Sequence, residues 1–181
     1  MGMLRPSYKK RTWITLAVAT LLYSLFSYAT SDIEIANNSF RPAIALLSAF
    51  AGVYGPVYGF IAGFLGNIGV DWLNNQFWWN WSLGNGIIGL LCGLMVYVPE
   101  YPPKDGKLTA MQWVMFLIFI MVGNYVGLTF AAVLDVLLDR IPFPQAVFGS
   151  AITPATINFL SSLVLAPPLL MILLNWRMKE D

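Results

Sequence analysis

Two long apolar runs in the C-terminal half of the chain constrain its fold most. Residues 111–138 and 145–176 each exceed the roughly 20 apolar residues that a transmembrane helix needs, and the second run contains no charged residue. Of the 181 residues, 58% are hydrophobic and 10% are charged, whereas soluble domains carry about 25% charged residues. The sequence therefore predicts an all-α integral membrane protein.

Six membrane spans agree best with the distribution of charge. The predicted spans are 12–29, 42–54, 57–71, 81–98, 111–138 and 145–176. The second and third are separated at Gly55-Pro56, where one long kinked helix is the alternative. With both termini cytoplasmic, eight of the ten Lys and Arg residues lie inside, and only Arg41 and Arg140 lie outside. We expect a single transmembrane domain, residues 1–181, that crosses the cell membrane several times.

The segment NNQFWWNWSLGNG, residues 74–86, combines indole rings with side-chain amides. An aromatic belt at the membrane surface would explain any one of its tryptophans, but it does not explain the asparagines. Indole walls beside fixed amides form a good site for a large, neutral, polar ligand. The predicted ligand residues of this segment are Trp78, Trp79, Asn80, Trp81 and Asn85. Because neighbouring side chains diverge, we expect one of Trp78 and Trp79 to face lipid.

Further polar residues lie within the predicted spans. Asn67 and Asp71 are four residues apart and share a helix face, while Asn124 and Tyr125 lie in span 5 and Asn158 in span 6. Polar residues inside a membrane are functional candidates, and we include these five in the predicted substrate site. Hydrogen bonds between helices are the alternative for the asparagines. For Asp71 the alternative is a solvated helix end.

The chemistry that is missing argues against an enzyme. The chain has no histidine and one cysteine, Cys92, so it lacks most catalytic bases, most metal-ligand sets and any internal disulfide. It has no GxxxxGK[ST] phosphate loop and therefore does not hydrolyse ATP itself. Asp135 and Asp139 form no intramembrane carboxylate pair, since we expect them on a solvated face at the end of span 5. We predict no intrinsic cofactor and no metal.

Small residues recur on span 1. Thr15 and Ala19 are four residues apart, as are Thr20 and Ser24. Small side chains at this spacing allow another helix to approach closely. The spacing alone leaves open whether that helix is internal or belongs to another subunit.

The run "FRPAIALLSAFAGVYGPVYGFIAGFLGNIGVDWLNNQFWWNWSLGNGIIGLLCGLM" and the ending "NFLSSLVLAPPLLMIL" resemble the substrate-binding S components of energy-coupling factor (ECF) vitamin transporters. The resemblance covers about residues 12–175. It implies six helices, an outward pocket built from spans 4 to 6 and from the first and third loops, and no binding of nucleic acid.

The resemblance also implies partners. Span 1 would dock on a transmembrane coupling protein (EcfT-like), with two cytoplasmic ATPases (EcfA-like) beneath it. The docking motif of the family is Ala-x-x-x-Ala, and Thr15 and Ala19 stand at the matching positions, with Thr20 beside them. Threonine therefore replaces the first alanine of the motif.

The long tryptophan loop is similar to that of a subset of S components that handles cobalamin (vitamin B12) or related vitamins. Cobalamin is large and edged with amides, which suits tryptophan, asparagine and few charges. A small neutral precursor such as hydroxymethylpyrimidine is the alternative ligand. A membrane scaffold without ligand and an intramembrane enzyme are the alternatives from other classes.

Overall fold

The computed structural model describes residues 10–35, 38–103 and 106–179. Six α-helices make up most of this part of the chain: α1 (Lys10–Ala29), α2 (Ala43–Tyr54), α3 (Pro56–Leu73), α4 (Trp79–Gly93), α5 (Ala110–Leu137) and α6 (Thr153–Met178). The predicted all-α architecture is confirmed. The basic residues Arg5, Lys9 and Lys104, which entered the topology prediction, lie outside the described residues.

Four short elements lie between these helices. A 3-10 turn, Leu94–Tyr97, continues α4, and a π-helical segment, Gln145–Ile152, leads directly into α6. Between α1 and α2, Glu34–Ile35 and Asn38–Ser39 pair as two antiparallel strands of two residues each.

Four helical segments are long and apolar enough to cross a membrane. They are Thr12–Ala29, Trp79–Tyr97, Ala110–Leu137 and Gln145–Met178. The apolar helix α2 is shorter, with 12 residues. The protein is therefore a multi-pass membrane protein, while the crossing of the membrane by all six helices and the cytoplasmic location of both termini stay predictions.

The break between α2 and α3 lies where the Gly-Pro pair indicated it. Gly55 has a φ of 97°, a conformation that favours glycine, and its backbone N–H still donates to Ala51 O at 2.7 Å. Pro56 then opens α3 at a position where a missing N–H costs nothing. Two separate helices, rather than one kinked helix, are thus confirmed.

Glycines allow α4 to approach both of its neighbours at backbone distance. A Cβ atom on Gly63 of α3 would overlap the carbonyl of Asn85, and one on Gly84 would lie 2.7 Å from Gly127 O of α5. The helix that begins with the tryptophan segment is therefore held between α3 and α5. Close approach also brings short polar side chains of the three helices within hydrogen-bonding distance of one another.

The apolar core and the outer surface of the bundle are both hydrophobic. Nearly all of α2 is buried, together with Phe116 of α5 and Leu170 of α6. Large apolar side chains such as Leu21 and Val164 are exposed on the outside, as expected for contact with lipid. At the end of the bundle where α2 and α6 finish, the buried Arg177 donates to Val53 O, and its guanidinium lies 5.0 Å from the centre of the Tyr54 ring.

Candidate functional site

A cavity of about 430 Å³ opens at the end of the bundle where α3 finishes and α4 begins. The C-terminal end of α5, the π-helical segment and the first turns of α6 complete its wall. Six of the ten predicted substrate residues line it: Asn67, Asp71, Trp78, Trp81, Asn85 and Asn158. The other four, Trp79, Asn80, Asn124 and Tyr125, lie outside its lining. The sequence thus located the cavity, whereas substrate contact by these residues stays a prediction.

One side of the cavity rests on a chain of hydrogen bonds that we call the amide network: Tyr23, Arg41, Asn67, Ser82 and Asn85. The Tyr23 hydroxyl donates to Asn85 Oδ1 at 2.8 Å, and Asn85 Nδ2 donates to Asn67 Oδ1 at 3.2 Å. Asn67 Oδ1 also accepts from Arg41 Nη1 at 3.4 Å, and Asn67 Nδ2 donates to Ser82 Oγ at 3.2 Å. The network ties α1, α3 and α4 to the arginine at the start of α2.

Internal partners occupy the two predicted amides of this network. Asn85 Nδ2 has a second acceptor in Trp81 O at 2.9 Å, and both amide groups of Asn67 are bonded within the protein. Asn85 is 2% exposed and Asn67 is 1% exposed. Because a buried amide without partners is costly, these bonds stabilise the wall. Few hydrogen-bonding groups of the two asparagines are left for a ligand.

On the side toward α5, the cavity wall rests on what we call the acid–arginine cluster: Trp78, Asn80, Trp81, Asp135 and Arg140. All but Asn80 line the cavity. Asp135 Oδ1 accepts from Asn80 Nδ2 at 2.9 Å and from Arg140 Nη1 at 3.0 Å, and Asp135 Oδ2 accepts from Trp81 Nε1 at 2.8 Å. Arg140 Nη1 also donates to Asn80 Oδ1 at 3.1 Å. The Arg140 guanidinium lies 5.1 Å from the centre of the Trp78 ring, a cation–π contact.

Two of the expectations for this side are wrong. Asp135 is not on a solvated face, since it is 5% exposed and carries a salt bridge with Arg140. The reason is that the chain turns back just after α5 ends and returns a cation to the carboxylate. The site is also not poor in charge, because Arg41, Asp71, Asp135 and Arg140 all line the cavity. Asn80, predicted to orient a ligand, is fully buried within the cluster.

Asp71 and the tryptophan segment hold each other in place. For Asp71, a solvated helix end is the alternative to a substrate contact. Asp71 is 8% exposed, and its Oδ2 accepts from the backbone N–H of Trp78 at 2.8 Å. This bond fixes the start of α4 to the end of α3. Trp78 lines the cavity and is 40% exposed, whereas Trp79, 38% exposed, lies outside the lining. The orientation of one of these rings toward lipid stays a prediction.

Asn158 differs from the other asparagines of the cavity. It lines the cavity from α6, beyond Pro154, and is only 4% exposed. Within the described residues, the side-chain amide of Asn158 makes no hydrogen bond. Because this amide opens to the cavity and has no internal partner, its N–H and C=O groups are available to water or to a ligand.

Asn124 and Tyr125 lie away from the cavity. Asn124 is fully buried and donates to Ile120 O of its own helix at 2.9 Å, and its Oδ1 has no hydrogen-bond partner among the described residues. The Tyr125 hydroxyl lies 2.8 Å from Thr156 Oγ1 and joins α5 to α6. Substrate contact by either residue stays a prediction.

The predicted docking residues Thr15, Ala19 and Thr20 are partly buried on α1. Thr20 Oγ1 donates to Leu16 O, and the neighbouring Ser24 Oγ donates to Gly66 O of α3 at 2.8 Å. Part of the small-residue face therefore packs inside the molecule, and the contact of Thr15 and Ala19 with another subunit stays a prediction.

Sequence reasoning missed the charged and aromatic supports of the site. Arg41 and Arg140 served only to predict the membrane topology, and Tyr23 was not among the predicted site residues. A usable signal was present, since Asp135 and Arg140 are opposite charges five residues apart at the end of an apolar run. For Tyr23, one tyrosine among many aromatic residues carries no such signal.

A second cavity of about 560 Å³ lies near the other end of α4, between the 3-10 turn and the start of α5. Its walls are mostly apolar, with Tyr97, Met115 and Phe119 among them. The amide of Gln112 in this wall is bonded to Pro99 O and to the N–H of Thr109. The polar, charged cavity is therefore the better candidate for a polar small-molecule ligand.

Comparison with known proteins agrees with this architecture. Residues 9–175 match the model of a family described as the ECF-type riboflavin transporter, S component. A UPF0397 protein of Vibrio atlanticus is 28% identical over 85% of this chain and 90% of its own length. A UPF0397 protein of Lactobacillus johnsonii is 31% identical over 87% of this chain and 85% of its own. No solved structure matches the chain. The chain belongs to the family of ECF-type riboflavin transporter S components.

Proposed function

We propose that this protein is the substrate-binding subunit of an ECF transporter and that it captures a planar, uncharged vitamin in the 430 Å³ cavity. Membership of the S component family suggests the role of a substrate-specific transport subunit. The observation that carries the proposal for the site is the unpaired amide of Asn158 in a cavity that also presents Trp78 and Trp81. Indole rings and a few convergent polar groups are typical of a small-molecule site.

The cavity favours a flavin as substrate. The family description names riboflavin, a neutral vitamin with a flat three-ring system, an imide edge and a polyol chain. Trp78 and Trp81 would stack on the rings, and the amide of Asn158 would pair with the imide edge, donating to a C=O and accepting from an N–H. Arg41 and Asp71 at the cavity wall would bond the hydroxyl groups of the chain. The volume lies within the range of pockets that enclose a ligand of this size.

Cobalamin is the second candidate. Asn74 and Gln76 lie at the cavity beside Trp78 and would offer amides to the amide edges of the corrin ring. Cobalamin is much larger than the cavity, so that most of it would remain outside the opening. Hydroxymethylpyrimidine, a single ring, would leave much of the volume to water. The size of the cavity therefore supports riboflavin over the other two vitamins.

Titration of the purified protein with each vitamin tests the substrate. Stacking on indole quenches flavin fluorescence, so we expect saturable quenching by riboflavin that excess hydroxymethylpyrimidine or cobalamin does not reverse. A purified protein that retains the visible absorbance of cobalamin, and shows no quenching of riboflavin, would move the assignment to cobalamin. Saturable binding of none of the three would favour a membrane scaffold without ligand.

The six-span topology with cytoplasmic termini belongs to the same proposal, because it places the cavity outside. Single cysteines replace Gln76, beside the cavity, and Glu100, in the loop before α5, in a Cys92→Ala background. In intact cells an impermeant maleimide should label Gln76→Cys and spare Glu100→Cys. The reverse labelling pattern would exclude this topology.

The partners of the family, a transmembrane coupling protein and two cytoplasmic ATPases, would drive release into the cell. Ala19→Trp in α1 adds bulk at the predicted docking position and should abolish transport while the isolated protein still binds its vitamin. Leu25→Trp, on an exposed position of the same helix, is the matched control and should retain transport. If Ala19→Trp also lost vitamin binding, the docking role would be wrong, and the substitution would act through the internal core against which Ala19 packs.

A further inference from the structure

Tyr23 connects α1 to the wall of the cavity. Its neighbours Leu21 and Leu22 are 62% and 44% exposed, whereas Tyr23 is 1% exposed and points inward to donate to Asn85 Oδ1 at 2.8 Å. Tyr23 does not line the cavity. Its hydrogen bond to Asn85 is therefore the direct link from this hydroxyl to a residue that does.

The Tyr23 hydroxyl and the Trp81 carbonyl together fix which way the Asn85 amide faces. Because an O–H donates, the acceptor Oδ1 of Asn85 turns toward Tyr23, and the donor Nδ2 turns toward Asn67. Asn67 then presents its own Oδ1, which accepts from both Asn85 and Arg41. With the Asn85 amide reversed, two carbonyl oxygens would face each other, and Asn67 would no longer offer Arg41 the same acceptor.

We propose that Tyr23 is a positioning residue for the substrate, because its hydroxyl, together with Trp81 O, holds the orientation of Asn85 and, through Asn67, keeps Arg41 at the cavity. This role rests on the proposed function, since Arg41 matters here as a group that binds the vitamin. The arginine is the only member of the amide network with a formal charge. The orientation of the two neutral amides, Asn67 and Asn85, therefore controls where the charge of Arg41 lies.

The local packing makes the hydroxyl separable from the ring. A Cβ atom on Gly66 of α3 would overlap the Tyr23 ring, so the ring fits closely against the α3 backbone. Tyr23→Phe keeps that ring and removes only the donor to Asn85. Ser24→Ala is the matched control, because Ser24 is the next residue, is also buried and loses a 2.8 Å bond to Gly66 O of the same helix. Ser24 has no bond to the amide network among those of the described residues.

A double-mutant cycle tests the route through Arg41. Riboflavin affinity and thermal unfolding are measured for the wild type, Tyr23→Phe, Ser24→Ala, Arg41→Gln and the double variant Tyr23→Phe/Arg41→Gln. Tyr23→Phe should weaken binding about fivefold, the effect of one hydrogen bond, while Ser24→Ala binds like the wild type. In the Arg41→Gln background, Tyr23→Phe should change the affinity by less than about twofold, because its effect is already lost.

The alternative results have separate meanings. If the two substitutions weaken binding additively, or if Ser24→Ala weakens it as much as Tyr23→Phe, then Tyr23 acts by general packing of α1 and the positioning role is wrong. If the wild type binds riboflavin and Tyr23→Phe binds equally well, only the positioning role fails. If the wild type retains cobalamin instead, the same cycle is measured with cobalamin. If the wild type binds neither vitamin, both proposals fail.

Discussion

The two polar networks that flank α4 both bond it to a neighbouring helix at the cavity wall, but they do so with different chemistry. Toward α3, the amide network joins neutral groups around Asn67 and Asn85 and reaches a single charge, Arg41. Toward α5, the acid–arginine cluster brings Asp135 and Arg140 into direct contact at 3.0 Å. On its α3 side, α4 thus takes part in neutral hydrogen bonds. On its α5 side, it bonds to the ion pair that Asp135 forms with Arg140.

The difference follows from access to water. The amide network lies where the glycines of α3 and α4 bring two backbones together, and an isolated charge buried there would lose far more hydration than an amide. The cluster lies at the end of α5, where the Arg140 side chain remains 33% exposed and stays partly hydrated. The cluster therefore fixes the ends of α4 and α5, whereas the amide network holds the orientation of groups at the cavity.

Breaking the cluster should have the largest effect. Each hydrogen bond that the Asp135 carboxylate makes with the described residues comes from a donor. These donors are Asn80 Nδ2, Trp81 Nε1 and Arg140 Nη1. In Asp135→Asn, the new NH2 group must face one of these donors, and Arg140 loses its counter-charge. We expect the free energy of unfolding to fall by about 3 kcal/mol, the lower end of the cost of breaking a buried pair.

Chemical unfolding in detergent, followed by tryptophan fluorescence, measures this loss. Asp139→Asn is the matched control, because it removes the same charge four residues further on, where the side chain is exposed. The control should change stability by less than about 0.5 kcal/mol. Equal stability of Asp135→Asn and wild type would show that the cluster is not a structural anchor.

The tryptophans of the cluster side should separate sharply in binding. Trp78 lines the cavity beneath the Arg140 guanidinium, and Trp79 lies outside the lining. Trp78→Ala should cost about 2 kcal/mol of binding free energy, or about thirtyfold in affinity, because the bound ligand would bury this ring, which is 40% exposed in the free protein. Trp79→Ala, the same change one residue away, should stay within about twofold. Equal losses in both variants would mean that the segment acts only through membrane anchoring.

Much of the fold was readable from the sequence because membrane helices leave strong signals. Long apolar runs indicated α1, α5 and α6, and the Gly55-Pro56 pair gave the break between α2 and α3. The location of the cavity followed from the tryptophan segment. These features depend on local composition, which a single sequence shows directly.

The state of each polar side chain was not readable, because it depends on partners distant in the chain. Asn80, Asn85 and Asn158 look alike in sequence, yet the first binds Asp135, 55 positions away, and the second accepts from Tyr23, 62 positions away. Only the third has an unpaired amide. Which asparagine is available to a ligand is therefore a property of tertiary packing.

Asn158 belongs to neither network, and its removal should give the smallest of the three effects while being the most specific to the ligand. Because its amide has no partner among the described residues, Asn158→Ala removes no internal hydrogen bond, and the stability of the free protein should hold or rise slightly. Vitamin affinity should fall about tenfold, as expected for the loss of a bidentate amide contact.

Asn124→Ala is the matched control, because Asn124 is an equally buried asparagine on the neighbouring helix that bonds Ile120 O and does not line the cavity. Fluorescence titration and thermal unfolding of the two variants decide the matter: loss of affinity without loss of stability at position 158, and the opposite at 124, support a ligand contact. Unchanged affinity in Asn158→Ala would leave the ligand to the residues of the two networks.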